Sequence, residues 1–359
     1  MRDGSKVLMS SKKNNIFSIM KGLAITGVVA GHIGFEKLDI FVNYWHLPTF
    51  FFVSGYFLKE KYIINGKEFL VSRLKRLLLP FILYAVIALL LHNSLINLGV
   101  IGGCRYVESD YWMEIRRILF LSSNEELIGA MWFLPALFLV TCISWCLLKL
   151  QTFCDMANYK IGGGIFMIIG LLAIHYKVPS PYSIFQYMTI AWIYLFGYMV
   201  RTENLDDKLR KRLYVLISIV ILLVALFTDS HFGCQVSAIN HMQCWFPLVF
   251  IAGIIVINYI SYCINGCRIG RLMAFIGDYS FSIMALHFVA FKLVTYLHHL
   301  IDNSVFVLDF PTSLTNIYIW APVYLVAGIT LPILASKFYD KLKNVWCNNC
   351  RIQESGTNG

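Results

Sequence analysis

Two histidines separated by a short turn are the residues of this sequence best suited to proton transfer. His32 ends one apolar run, and His46 begins the next in YWHLPTFFFVSGYF. Because imidazole titrates near neutral pH, two histidines at the same depth favour general-base chemistry. The structural alternative makes His32 a helix cap and places His46 in an interfacial aromatic belt with Tyr44 and Trp45.

A lysine on the same apolar run extends this pattern toward the opposite end. Lys21 precedes His32 by eleven residues. In an α-helix that spacing is about 20° more than three full turns, so both side chains face one side, about 16 Å apart along the axis. Glycines between them allow another helix or a ligand to approach. A snorkelling lysine is the structural alternative.

Two arginines form a further candidate binding site. Arg73 and Arg76 lie in R-L-K-R, directly before the apolar run LLLPFILY. Three residues apart, they share a helix face and are suited to bind phosphates bidentately. Anchoring of the chain by positive charge is the plain alternative.

Three more ionisable residues fall in a late apolar segment, where such groups are rare and usually functional. Asp278 and His287 are nine residues apart, which is two and a half helical turns, so they face opposite sides and form no local pair. Each is expected to face a different neighbour. Lys292 is expected to snorkel outward.

The composition shows which elements must position these residues. Of 359 residues, 58% are apolar and only 14% are charged, which argues against a disordered chain, a coiled coil, a nucleic-acid-binding surface and an ordinary soluble enzyme. A membrane helix needs about 20 mostly apolar residues. The sequence predicts ten such spans, with a break near Pro48 in the second, at 16–35, 43–58, 77–92, 131–149, 161–176, 184–200, 213–228, 244–262, 273–297 and 315–336.

The charge distribution tests the number of spans independently. With ten spans, 23 of the 30 basic residues fall on the side of both termini and five on the other side. The positive-inside rule makes the first side cytoplasmic. The net charge of +10 therefore reflects the excess of basic residues on the cytoplasmic side of the membrane rather than a surface that binds a partner. We predict an all-α polytopic membrane protein with a cytoplasmic N-terminal tail at 1–15, a membrane domain at 16–339 and a cytoplasmic C-terminal tail at 340–359.

Five stretches of the sequence form a recognisable set: MKGLAITGVVAGH, YWHLPTFFFVSGYF, RLKRLLLPF, MWFLPALFLV and IGDYSFSIMALH. Among them, the pattern of a basic residue, ten residues and a histidine is specific, as is H-x-P-x-F-F-F-x-S-G-Y. Taken together, the stretches resemble the integral-membrane acyltransferase-3 family. The resemblance extends over about 16–340 and is greatest to the branch described as fucose 4-O-acetylase-like.

The resemblance implies transfer of an acetyl or other small acyl group from cytoplasmic acyl-CoA to a hydroxyl of a cell-envelope glycan or glycolipid. It implies His32 as the catalytic residue, Lys21 as its basic partner, and Arg73 and Arg76 as residues linked to acyl-CoA use. Many members carry an acid three residues before the basic position, where this chain has Ser18. That difference puts a charge-pair role at this end in doubt.

The residues also suggest how such a reaction is arranged. Lys21 and the two arginines form a cationic opening for coenzyme A phosphates, and His46 assists His32. Tyr44, Trp45, Trp132 and His287 are the candidate contacts to the acceptor sugar.

The expected setting is the bacterial inner membrane, with a lipid bilayer and a glycan as partners and with neither a metal nor a nucleic acid. The alternative function is a transporter or flippase of a glycan or small anion, since buried charges fit that class equally well.

Overall fold

The computed structural model describes the backbone of 2–154, 158–179, 181–234, 245–301 and 317–356, without the side chains of 2–14, 181, 317 and 345–356. Within these ranges the chain is all α, with no β-strand. Its helices are α1 (Arg2–Gly31), α2 (Glu36–Asn43), α3 (His46–Tyr56), α4 (Glu60–Ile64), α5 (Gly66–Arg73), a π-helix (Leu74–Leu78), α6 (Leu79–Asn97), α7 (Glu108–Leu119), a 3₁₀-helix (Glu126–Trp132), α8 (Phe133–Phe153), α9 (Tyr159–His175), a 3₁₀-turn (Pro181–Ser183), α10 (Ile184–Thr202), α11 (Asp206–Leu209), α12 (Arg212–Phe227), α13 (Phe246–Ile264), α14 (Arg268–Asp278), α15 (Ser280–Ile301) and α16 (Ile317–Gly356).

Apolar helices long enough to cross a bilayer confirm an all-α polytopic membrane protein. Five stretches of the described chain qualify by length and hydropathy: Gly66–Asn97, Glu126–Phe153, Phe246–Ile264, Ser280–Ile301 and Tyr318–Asn344. Shorter apolar helices lie at Asn15–Gly31, Tyr159–His175 and Arg212–Phe227. The count of ten spans, the cytoplasmic termini and the tail boundaries stay predictions. Helices α1 and α16 continue through both predicted tail boundaries.

The structure corrects two expectations about where helices break. Pro48 does not interrupt the second span, because it lies in the first turn of α3, where a missing N–H is tolerated. The predicted ninth span is instead two helices, since α14 ends at Asp278 and α15 begins at Ser280. Asp278 and His287 therefore lie on different helices.

Helix α14 crosses α1 at residues 18–22, and the crossing is made of two glycines. A Cβ atom on Gly22 would collide with the backbone carbonyl of Met273, and one on Gly277 would collide with the carbonyl of Ser18. Small residues at a crossing let membrane helices approach closely. This contact places Asp278 beside the Lys21 end of α1.

The segment between α6 and α8 folds back over the end of the bundle that carries His32. Glu114 of α7 is fully buried, and it accepts hydrogen bonds from Arg117, from the Ser123 hydroxyl and from the backbone N–H of Asn124. These bonds anchor α7 to the loop that follows it. The segment then enters the 3₁₀-helix that leads to Trp132.

Candidate active site

His32 and His287 form a pair at the end of α1. The Nε2 atom of His287 lies 3.2 Å from the Nδ1 atom of His32, and the two rings are stacked with centroids 5.2 Å apart. His287 is fully buried, and Phe288 packs against both imidazoles. The sequence analysis placed His287 at the acceptor, whereas the structure places it directly against His32.

Backbone carbonyls assign the tautomers of this pair. The Nδ1 atom of His287 lies 2.9 Å from the Ile283 carbonyl and 3.1 Å from that of Met284, so it carries the hydrogen. Its Nε2 atom is then an acceptor, and His32 must donate through Nδ1. The Nε2 lone pair of His32 is thereby left available as a base.

His46 lies at the depth of His32, as the sequence analysis expected. Its Nδ1 atom is 2.5 Å from the Val42 carbonyl, which again leaves Nε2 as the acceptor nitrogen. His32 and His46 line one small cavity of about 30 Å³, together with Asp39, Asn43 and Trp132. The two histidines are therefore presented to the same space, with a carboxylate near them.

Asp39 and Asn43 are site residues that the sequence analysis missed. The Asn43 amide donates to the Asp39 carboxylate at 2.9 Å. Burial of the carboxylate raises the pKa of Asp39 above its ordinary value, and the hydrogen bond from Asn43 opposes that rise. The available signal was their position: both are polar residues on α2, the short helix that joins α1 to α3.

His32 also lines a second, larger cavity. It has a volume of about 550 Å³, and Trp132 lines both cavities. Its walls carry aromatic rings and hydroxyls that come mainly from the outer segment and from the start of α10: Phe120, Ser122, Ser123, Tyr182, Tyr187 and Phe288. The rings of Phe120 and Tyr182 are stacked with centroids 5.2 Å apart. Deep pockets that combine apolar walls with a few polar groups are typical ligand sites.

An ion pair anchors the 3₁₀-helix that ends at Trp132 to the helix that carries His287. Lys292 is not a snorkelling residue: it is only 4% exposed, and its Nζ atom lies 2.7 Å from the Glu126 carboxylate. Glu126 begins the 3₁₀-helix that ends at Trp132. The pair thus ties α15, which carries His287, to the segment that carries Trp132.

Near Lys21, about three turns along α1 from His32, the nearby carboxylate is that of Asp278 on α14. Ser18 donates to Asp278 at 2.9 Å, and Asp278 is the charged group that interacts with Lys21. The acid that many family members carry at the position of Ser18 is thus replaced by an acid from α14. Sequence spacing gave no indication of this replacement, since 260 residues separate the two partners.

The arginines lie at a π-helix. Arg73 is the last residue of α5, and the π-helix begins directly after it. The guanidinium of Arg73 lies 5.5 Å from the ring of Phe69 and 5.9 Å from that of Tyr62. Arg76 lies within the π-helix and is exposed. Single π-turns occur frequently at functional sites. Among the described contacts, Lys21 is grouped with Asp278 rather than with these arginines.

Two of the predicted acceptor contacts face elsewhere. Tyr44 is fully buried, and its hydroxyl donates to the Ser230 carbonyl at 2.7 Å. The ring of Trp45 packs against Gly27 and its Cβ against Gly253. Neither residue lines the two cavities around His32. Trp132 lines both, and the rings of Phe120, Tyr182 and Tyr187 join it in the larger cavity.

The fold is that of a helical integral-membrane protein, with a pair of histidines at the wall of two cavities. The model of the acyltransferase-3 family, described as an acyltransferase domain, matches residues 14–337. Since the match covers most of the chain, this protein belongs to that family and is a membrane acyltransferase. Comparison with curated proteins and comparison with solved structures both give no match.

Proposed function

We propose that this protein transfers an acyl group, most simply acetyl, from cytoplasmic acyl-CoA to a hydroxyl of a cell-envelope polysaccharide or glycolipid sugar. The observation that carries the proposal is the position of His32, which lines both cavities. In the tautomer assigned above its Nε2 lone pair is available. A transfer reaction brings a donor and an acceptor to one base, and two cavities that share His32 support such an arrangement.

The proposed reaction follows from the tautomer of His32. Its Nε2 atom takes the proton of the acceptor hydroxyl, and that oxygen attacks the thioester carbonyl. The C–O ester bond forms, the C–S bond breaks, and the leaving CoA sulfur takes the proton back. His287 keeps the imidazole in this tautomer through the bond at Nδ1. The alternative is a double displacement. His32 Nε2 attacks the thioester carbonyl and the C–S bond breaks. The acceptor hydroxyl then attacks the acyl-imidazole, the C–N bond breaks, and the hydroxyl proton passes to the CoA sulfur.

The two cavities suit different substrates. The larger one combines stacked aromatic rings with serine hydroxyls and opens beside the outer segment, which suits a sugar ring. The smaller one lies along the face of α1 that leads toward Lys21, and the rise of about 16 Å along that helix is of the order of a pantetheine arm. We therefore assign the acceptor to the larger cavity and the thioester to the smaller one.

Transfer of label from acetyl-CoA to envelope glycan tests the proposal. Membranes that contain the protein are incubated with labelled acetyl-CoA and glycan acceptor. We expect His32→Ala to reduce transfer by about 10²–10⁴-fold, the usual contribution of a general base. His175→Ala, an exposed histidine on α9, serves as the matched control.

Normal transfer by a well-inserted His32→Ala protein would overturn the proposal. Uptake of glycan that does not depend on acyl-CoA would instead favour the transporter, which the family match does not support. The bacterial inner membrane as the location, and the fucose 4-O-acetylase-like branch, are parts of the same proposal. Loss of O-acetyl groups from envelope glycan when the chain is removed is the cellular result we expect.

A further inference from the structure

Three buried polar atoms without hydrogen-bond partners lie together near the predicted cytoplasmic face. They are Nε of Arg73, the hydroxyl of Tyr194 and Nη2 of Arg201. Tyr194 is fully buried and within electrostatic range of both guanidiniums. Among the ion pairs of the described chain, none involves either arginine. Unsatisfied buried polar groups are rare, so a cluster of three requires an explanation.

Helix geometry brings these groups to one place. Arg201 follows Tyr194 by seven residues, so the two side chains lie on one face of α10 about 10 Å apart along its axis. Close packing of Gly55 on the Tyr194 backbone fixes α10 against α3. Arg73 arrives from α5, immediately before the π-helix.

Aromatic rings, rather than carboxylates, hold the two guanidiniums. The Cζ atom of Arg201 lies 5.5 Å from the ring of Tyr198, and Arg73 lies 5.5 Å from the ring of Phe69. A ring face attracts a cation without accepting a hydrogen bond from its edge. At least one buried N–H donor of each arginine, Nε of Arg73 and Nη2 of Arg201, therefore remains for a ligand.

Two like charges and an unpaired hydroxyl favour an anion that accepts several hydrogen bonds. Phosphate oxygens fit this requirement, because guanidinium donors match them bidentately. We propose that Arg73, Tyr194 and Arg201 form a binding site for a phosphate at the nucleotide end of acyl-CoA. This inference rests on the proposed function and adds Arg201, which the sequence analysis counted only among the topological charges.

Binding of coenzyme A to the purified full-length protein in nanodiscs tests the site. We compare coenzyme A with pantetheine, which lacks every phosphate, for the wild type and for Arg201→Gln and Arg73→Gln. Each substitution should weaken binding of coenzyme A about tenfold or more and leave binding of pantetheine unchanged. Arg212→Gln, at an exposed position at the start of α12, is the control and should bind both as the wild type does.

Thermal unfolding without ligand separates a binding role from a structural one. A guanidinium that awaits a ligand does not stabilise the empty protein, so Arg201→Gln should unfold at the wild-type temperature or above it. A marked fall in unfolding temperature would overturn the inference, as would wild-type binding of coenzyme A by Arg201→Gln.

The remaining outcomes separate this inference from the proposed function. A wild-type protein that binds no coenzyme A would overturn the proposed donor itself. The phosphate of an anionic lipid headgroup is the alternative ligand of this site. Binding is therefore compared in nanodiscs with and without anionic lipid. If the arginine substitutions alter retention of anionic lipid but not binding of coenzyme A, the site holds a headgroup and the nucleotide assignment is wrong.

Discussion

The ammonium group of Lys292 lies 2.7 Å from the carboxylate of Glu126, with the lysine almost completely buried. The pair joins the helix of His287 to the 3₁₀-helix that ends at Trp132. Charges at such depth persist only when paired, because leaving one of them alone costs several kcal/mol. The contact therefore couples the histidine pair to the wall shared by the two cavities.

Breaking this ion pair should cost both stability and activity. We expect Lys292→Met to destabilise the protein by about 1–3 kcal/mol, less than for a fully buried pair, because Glu126 loses its partner but is itself 25% exposed. The double substitution Lys292→Met with Glu126→Gln should recover most of the unfolding temperature. Thermal unfolding in detergent measures this, and a double variant as unstable as the single one would argue against direct coupling.

His287 should act through the orientation of His32. His287→Phe removes the acceptor for His32 Nδ1, so we expect kcat to fall by about 10²-fold while KM for both substrates stays near wild type. His287→Gln keeps a carbonyl acceptor and should retain more activity than the phenylalanine variant. Equal loss in the two variants would indicate a packing role alone.

The aromatic wall of the larger cavity should determine acceptor binding. Tyr182→Ala removes the stacking partner of Phe120, so KM for the glycan should rise several-fold while KM for the acyl donor stays unchanged. Tyr176→Ala, on a ring that is 73% exposed and outside the cavity, is the matched control. A rise in KM for the donor instead would reverse our assignment of the two cavities.

Asp39 should contribute a pH dependence to stability. Because burial raises its pKa above the ordinary 3.8, the folded protein binds this proton more tightly than the unfolded chain does. Stability should therefore fall as pH rises through the interval between 3.8 and the raised value. Asp39→Asn should lack this decline, although the effect is small because the side chain is partly exposed. Unfolding temperatures followed from pH 4 to 7 measure it, and parallel curves for the two proteins would contradict the expectation.

Much of the architecture and part of the site follow from the sequence. Hydropathy and charge are local properties, so the apolar segments and the all-α membrane class are readable without coordinates. The eleven-residue spacing of Lys21 and His32, and the short turn before His46, likewise place these residues by local geometry. Helix α14 was missed as a separate element, because its apolar residues merge into those of α15.

Only the tertiary structure decides which groups meet. Helical periodicity fixes the face on which a side chain lies but not the helix that covers that face. His287 reaches His32 across 255 residues, Asp278 replaces the missing acid beside Lys21, and Lys292 turns inward to Glu126. Each pairing depends on long-range packing, since a buried polar group is stable only where a distant part of the chain supplies its partner.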